Sequence, residues 1–66
     1  MKPADLSPRQ TEVIILIAKG LLNKEVAESL HISRRTVETH RAAAMRKLCC
    51  RVSADLVRWV VLHKLT

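Results

Sequence analysis

Apolar residues recur three and four positions apart in four separate stretches of this 66-residue chain, the rhythm of helices packed on one face. The stretches are Val13, Ile14, Ile17 and Ala18, then Val26, Ala27 and Leu30, then Val37, Ala44, Met45 and Leu48, then Leu56 and Val60. Their borders carry start and stop signals. Ser7 is placed to cap a first helix, with Pro8 at its first position and Gln10 completing a capping box, and Gly20 stops that helix after about Lys19. Asn23 is the expected cap of a short second helix, "KEVAESL", which the three residues "HIS" separate from a third. Ser33 caps the third helix, with Ile32 before it able to staple onto Val37, and that helix runs to about Leu48. "CCRVS" leads to a fourth helix from Ala54 to about Leu65, capped by Ser53. No stretch carries a strand signal, and there is no internal repeat, low-complexity tract or linker. The expectation is an all-α, four-helix domain over residues 6–66 behind a flexible N-terminus, residues 1–5.

The third helix has an unusual outer face. Turning about 100° per residue, the side opposite its apolar stripe carries Arg35, Glu38, Thr39, Ala42 and Arg46. Arginines, a short hydroxyl side chain and a bare alanine together suit the close approach of something negatively charged. The charge distribution agrees. Net charge is +6, and of twelve Lys and Arg, six fall within residues 34–51 (Arg34, Arg35, Arg41, Arg46, Lys47 and Arg51), opposed there only by Glu38. Clustering of one sign points to a polyanion or an anionic membrane rather than to cations scattered for solubility. A membrane-surface helix needs bulky apolar residues opposite its basic face, whereas this one offers alanines. No apolar run nears the roughly 20 residues of a membrane span, and "MKPADLSPRQ" lacks a secretory signal, so the chain is expected in the cytoplasm.

Composition narrows the chemistry further. With one Trp and neither Phe nor Tyr, the core must be aliphatic. Cys49 and Cys50 are adjacent, with α-carbons about 3.8 Å apart, closer than an ordinary disulfide spans. Neither they nor His31, His40 and His63 offer zinc-ligand spacing, so no metal or cofactor is expected and the thiols read as small hydrophobes. No paired carboxylates, nucleophile–base pair or phosphate loop are present, which argues against an enzyme.

The second helix, the tight break and the third helix, residues 23–42, have the layout of a helix-turn-helix, whose second helix enters the major groove of duplex DNA. A groove about 12 Å wide admits a helix whose outer face is slim or suited to hydrogen bonding. Ala42 and Ala43 keep the middle slim, Arg35 and Thr39 can reach base edges, and Glu38 can accept from a cytosine amino group. Arg46 and the neighbouring Arg34 lie better for phosphate, as do the backbone N–H groups around Ser33 and Thr36. Lys24 opens a helix, where a cation opposes the dipole unless a phosphate lies beside it. Arg35 and Glu38, three apart, are alternatively a self-neutralising pair. Arg41 turns toward the core side, so its stem can pack while its head reaches out. His40 reads as a packed histidine and Trp59 as a core anchor. The fourth helix is apolar almost all round. Beyond the Leu56 and Val60 stripe it carries Val57, Val61 and Leu65, more than a small core needs, which suggests a contact between two copies.

With these residues in view, the chain resembles the DNA-binding domain of the LuxR/NarL/FixJ (GerE-like) family of bacterial transcription regulators, from Leu6 to about Leu65. The resemblance rests on "LSPRQTEV", "AKGLLNKEVAESLHISRRTVETHR", "MRKL" and "ADLVRWV", and "TVETHRAAAM" is most like the FixJ-like response regulators of two-component systems. It implies transcription regulation by double-stranded DNA binding, with base contacts at Glu38, Thr39 and Ala42. It implies phosphate contacts at Lys24, Ser33, Arg35, Thr36, Arg41 and Lys47, and a homodimer on DNA through the fourth helix. It also implies an upstream receiver or ligand-binding domain in a longer parent, and RNA polymerase as a further partner. A sigma-factor region 4-like module, which also contacts polymerase, is the alternative that the family motifs disfavour. Departures are Gln10 for the usual Glu, apolar Ile15 and Leu22 where polar residues are common, and Cys49 where a small residue often ends the helix. Relatives often carry a base at positions 38 and 42, so their base preference does not transfer.

Overall fold

The computed structural model describes residues 6–63, which form four helices: α1 (Pro8–Ala18), α2 (Asn23–Leu30), α3 (Arg34–Lys47) and α4 (Ser53–Leu62). The N-terminus expected to be flexible, residues 1–5, and Leu65 of the expected contact between copies lie outside this range. No strand occurs among the described residues.

The start of α1 is as the sequence predicts. Ser7 Oγ accepts from Gln10 N–H at 3.1 Å while Gln10 Oε1 accepts from Ser7 N–H at 3.1 Å. Two other caps differ from expectation. Asn23 is the first helical residue of α2 rather than its cap; the cap position is Leu22, whose N–H donates to the Glu25 carboxylate at 2.8 Å. Ser53 likewise begins α4, with Val52 at the cap position and the Asp55 carboxylate accepting from Arg51 N–H at 3.2 Å. In both cases an acidic side chain inside the first turn reaches back to the entering backbone, and the expected capping residue lies inside the helix with its side chain on another partner.

The core is aliphatic: Val13, Ile14 and Ile17 of α1, Val26 and Ala27 of α2, Val37 and Ala44 of α3, and Leu56 and Val60 of α4, with no buried polar side chain among the described residues. α1 is the common support, packing against each of the other three helices, and α2 also packs on α3. Ala18, Leu30, Met45 and Leu48 of the apolar stripes are only half-buried, as are Cys50 and Trp59; each lies against the rim of this cluster. Trp59 is covered from outside by His63, whose ring stacks on it at 4.1 Å. Ile14 is fully buried. Truncating such a residue to Ala costs about 2–5 kcal/mol, as much as the roughly 3–5 kcal/mol a core of this size supplies.

Three helices end in the same way. In α1, Leu21 N–H donates to Leu16 C=O (3.2 Å) and Gly20 N–H to Ile17 C=O (2.9 Å). In α2 the pairs are Ile32 to Ala27 (3.0 Å) and His31 to Glu28 (3.4 Å), and in α3 they are Cys50 to Met45 (2.8 Å) and Cys49 to Arg46 (3.2 Å). This is the Schellman arrangement, which demands a left-handed residue just past the helix. Gly20 takes it at φ 99°, but His31 and Cys49 take it at φ 57° with a Cβ, at a steric cost of roughly 1–2 kcal/mol each. The added freedom of glycine in the unfolded chain offsets part of that. Replacing Cys49 or His31 with Gly should therefore stabilise the domain by a net of about 0.5–1 kcal/mol, read as a raised thermal or urea midpoint. Gly20→Ala should lower the midpoint by a similar amount although nothing lies within 4 Å of the added Cβ. A neutral outcome for all three would contradict the strain assignment.

Candidate nucleic-acid interface

The α2–α3 junction is set by local chemistry. His31 turns the chain in the left-handed conformation, Ile32 tucks against the core, and Ser33 starts α3. Ser33 Oγ accepts from Thr36 N–H at 3.0 Å and lies 2.8 Å from Thr36 Oγ1. The break is three residues, 31–33, as the sequence suggests.

α3 is divided sharply. Val37 and Ala44 are fully buried against α1 and α2, whereas Arg35, Glu38, Thr39 and Ala42 are all exposed on the other side. No ion pair joins Arg35 to Glu38, so both charges face outward unneutralised by each other. Thr39 Oγ1 donates its hydroxyl proton to Arg35 C=O at 3.0 Å. Its lone pairs remain, so toward an incoming ligand it is an acceptor and a methyl group.

Of the residues assigned to phosphate, Lys24, Ser33, Arg34, Arg46 and Lys47 are exposed and Thr36 is half-buried. Lys47 Nζ donates to Gln10 Oε1 at 3.1 Å, which ties the basic end of α3 to the cap of α1. Arg46 and Lys47 also sit in the last turn of α3, where cations suit the helix dipole. Arg41 differs. Its side chain is half-buried, Nη1 donates to Asn23 Oδ1 at 3.3 Å, and Nη2 donates to Ser53 Oγ. The head expected to reach outward toward phosphate thus makes two hydrogen bonds inside the protein. Asn23 and Ser53, two of the four residues expected to cap helices, are its acceptors. Sequence reasoning missed this because the partners are 18 and 12 positions away. The available signal was the placement of Arg41 on the core side of the helical wheel.

Elsewhere, Val57 is half-buried and Val61 is 63% exposed; Leu62 (70%) and Val52 (56%) are further exposed apolar side chains at the end and start of α4. Leu22 is exposed as expected, while Ile15 is half-buried. His40 is half-buried. Both cysteines are free thiols. Burial, reinforced by the Asp55 carboxylate and by Cys49, pushes the Cys50 thiol above its ordinary pKa and keeps it protonated at neutral pH. Among the described residues no cluster of His, Cys, Asp or Glu could hold a metal ion, and no helix is long and apolar enough to cross a membrane.

A short helix, a left-handed turn and a half-exposed basic helix define a helix-turn-helix domain. The chain matches bacterial regulatory proteins of the luxR family over residues 4–60, and it belongs to that family. That is a family of DNA-binding domains of transcription regulators, not an enzyme class. The chain is 45% identical over 53 residues to the tetrathionate response regulatory protein TtrR of Salmonella typhimurium, covering 80% of this chain and 26% of that protein. It is 45% identical over 60 residues to the oxygen regulatory protein NreC of Staphylococcus carnosus, covering 91% and 28%. Among solved structures, the Salmonella typhimurium RcsB response regulator superposes with a TM-score of 0.83 at 33% identity, covering 86% of this chain and 27% of that one. The chain thus spans about a quarter of the length of these response-regulator relatives.

The junction makes a direct prediction. Ser33→Ala removes the acceptor that caps α3 and should destabilise the domain by about 1 kcal/mol, whereas Ser33→Asp keeps an acceptor there and should leave the midpoint near that of the parent. Equal losses in both variants, measured by urea denaturation, would show that the hydroxyl serves something other than the cap.

Proposed function

We propose that this domain binds duplex DNA sequence-specifically as a dimer, with α3 in the major groove. The observation that carries the reading is the division of α3: Arg35, Glu38, Thr39 and Ala42 share the exposed side, opposite a face that is fully buried. Bases are read by that set, with Ala42 permitting close approach, Thr39 and Glu38 accepting from amino groups, and Arg35 offering a bidentate fork or, at the helix start, a phosphate contact. Lys24, Ser33, Arg34, Thr36, Arg46 and Lys47 hold the flanking phosphates. The N-terminal N–H groups and dipole of α3 add to the pull of the cations there. The apolar side of α4 that carries Val57 and Val61 forms the contact between copies. In a longer regulator a receiver domain would precede this one and control its access to DNA.

Selection of bound duplexes in vitro, followed by salt titration, tests the reading. A dimer neutralising about 6–10 phosphates loses roughly 10³–10⁵ in affinity between about 50 and 200 mM salt, and a flat response would sink the phosphate assignment. Replacing Glu38 and Thr39 together should change the base preferred at one or two positions, while Lys24→Ala should weaken all sequences alike. Selected sites identical to the parent's would show that α3 does not read through this face.

The dimer makes its own prediction. Half-sites should lie about one helical turn, roughly 34–36 Å, apart. Val61→Glu places like charges across a two-fold contact and should abolish cooperativity on a paired site while leaving half-site binding and the thermal midpoint unchanged. Undiminished cooperativity in that variant would exclude α4 as the contact.

A further inference from the structure

We infer that Arg41 is a positioning residue for DNA binding, a latch that fixes the starts of α2 and α4 against the reading helix, rather than a contact to phosphate. The inference rests on the proposed DNA-binding mode. Three observations support it. First, one guanidinium on α3 donates to the first residue of α2, Asn23, and to the first residue of α4, Ser53. Both acceptors are available because Asn23 and Ser53 are the first residues of their helices and not the caps, so neither side chain is held by the N–H groups of its own first turn. Second, α4 leans on α1 and shares no comparable packing with α3 or α2, so the Arg41 fork is a direct tie between the reading helix and α4. Third, the head lies in a cleft of about 320 Å³ lined by Ile17, Gly20, Leu21, Leu22, Asn23 and Ser53, at the meeting point of α1, α2 and α4.

The chemistry suits arginine alone. Its planar fork presents N–H groups in fixed directions and can satisfy two acceptors on different helices, where a lysine ammonium on its flexible stem is a point charge without that preset geometry. What the latch holds matters for binding: Lys24 follows Asn23 directly, and the exposed face of α4 begins one turn beyond Ser53. If the latch slackens, phosphate grip and dimer surface lose their fixed relation to Arg35, Glu38, Thr39 and Ala42.

The experiment exploits the difference between charge and fork. Arg41→Lys, Ser53→Ala, Ser53→Thr and the Arg41→Lys/Ser53→Ala pair are titrated with the selected duplex over a salt series, at temperatures where far-UV circular dichroism shows all to be folded. As a latch, Arg41→Lys weakens binding roughly 3- to 30-fold with the parent's salt slope. Ser53→Ala then weakens it in the same sense, the double variant loses no more than the larger single loss, and Ser53→Thr restores affinity. Parent-like affinity in Arg41→Lys would overturn the inference. So would fully additive losses in the double variant, or an Arg41→Met variant whose log–log salt slope falls by about 0.9, the mark of one lost phosphate contact. Were the parent itself to show no selective, salt-dependent binding, the proposed function would fail separately. The latch is then judged from the same double-mutant cycle in urea unfolding, where additivity of Arg41→Lys and Ser53→Ala overturns it.

Discussion

The packing of α1 against all three other helices is the constraint on which the domain depends. Val13, Ile14 and Ile17 are its buried contribution, and the helices that meet them bring only two buried residues apiece: Val26 and Ala27, Val37 and Ala44, Leu56 and Val60. So small a core leaves no margin, and a second buried face on α3 is not needed to complete it. That economy makes the outer side of α3 available for recognition. A helix whose stability comes from one face can vary the other without unfolding the domain, which is how a single architecture can read many sequences.

The turn chemistry follows from the same shortage of material. Loops of three to five residues join the helices, and in a chain with a single glycine the left-handed position after α2 and α3 falls to His31 and Cys49. The two backbone hydrogen bonds and the burial of Ile32 and Cys50 that follow each turn outweigh the cost of a Cβ there. The turn after α2 fixes where α3 begins, so the strain at His31 sits between the helix proposed to grip the backbone and the helix proposed to read the bases. A tight turn at that point contributes rigidity to the reading geometry, not only to stability.

The fold was legible because its signals are local. Ser7–Pro8–Gln10, Gly20 and Ser33 act within four residues of themselves, and the apolar spacing sets which face of each helix goes in; the borders of α1, α2 and α3 follow within one residue. Where two mechanisms could cap one helix, the sequence could not rank them. Asn23 and Ser53 are good caps by type, yet each helix begins one residue earlier, with a carboxylate of its first turn bonded to the entering backbone. The exposed set on α3 was legible from the wheel alone, as was the surplus apolar side of α4. Trp59 was read as a core anchor from its type, and only the fold shows His63 closing over its outer side.

Arg41 marks the boundary of that legibility, and for a physical reason. An arginine among basic neighbours on a recognition helix looks like one more phosphate contact, because charge is a property of the residue. What distinguishes it is the pair of acceptors, and these are brought to it only when α2 and α4 have docked on α1. The cations of α2 and α3 therefore divide into kinds that composition treats alike. Lys24, Arg34, Arg35 and Arg46 are exposed, as the proposed long-range attraction to a polyanion requires. Lys47 and Arg41 are tied to other helices, and each converts part of its charge into fixed geometry. Salt screens the exposed charges, and the half-buried fork of Arg41 much less. In the proposed binding mode, affinity and register on DNA thus respond to different conditions through different residues.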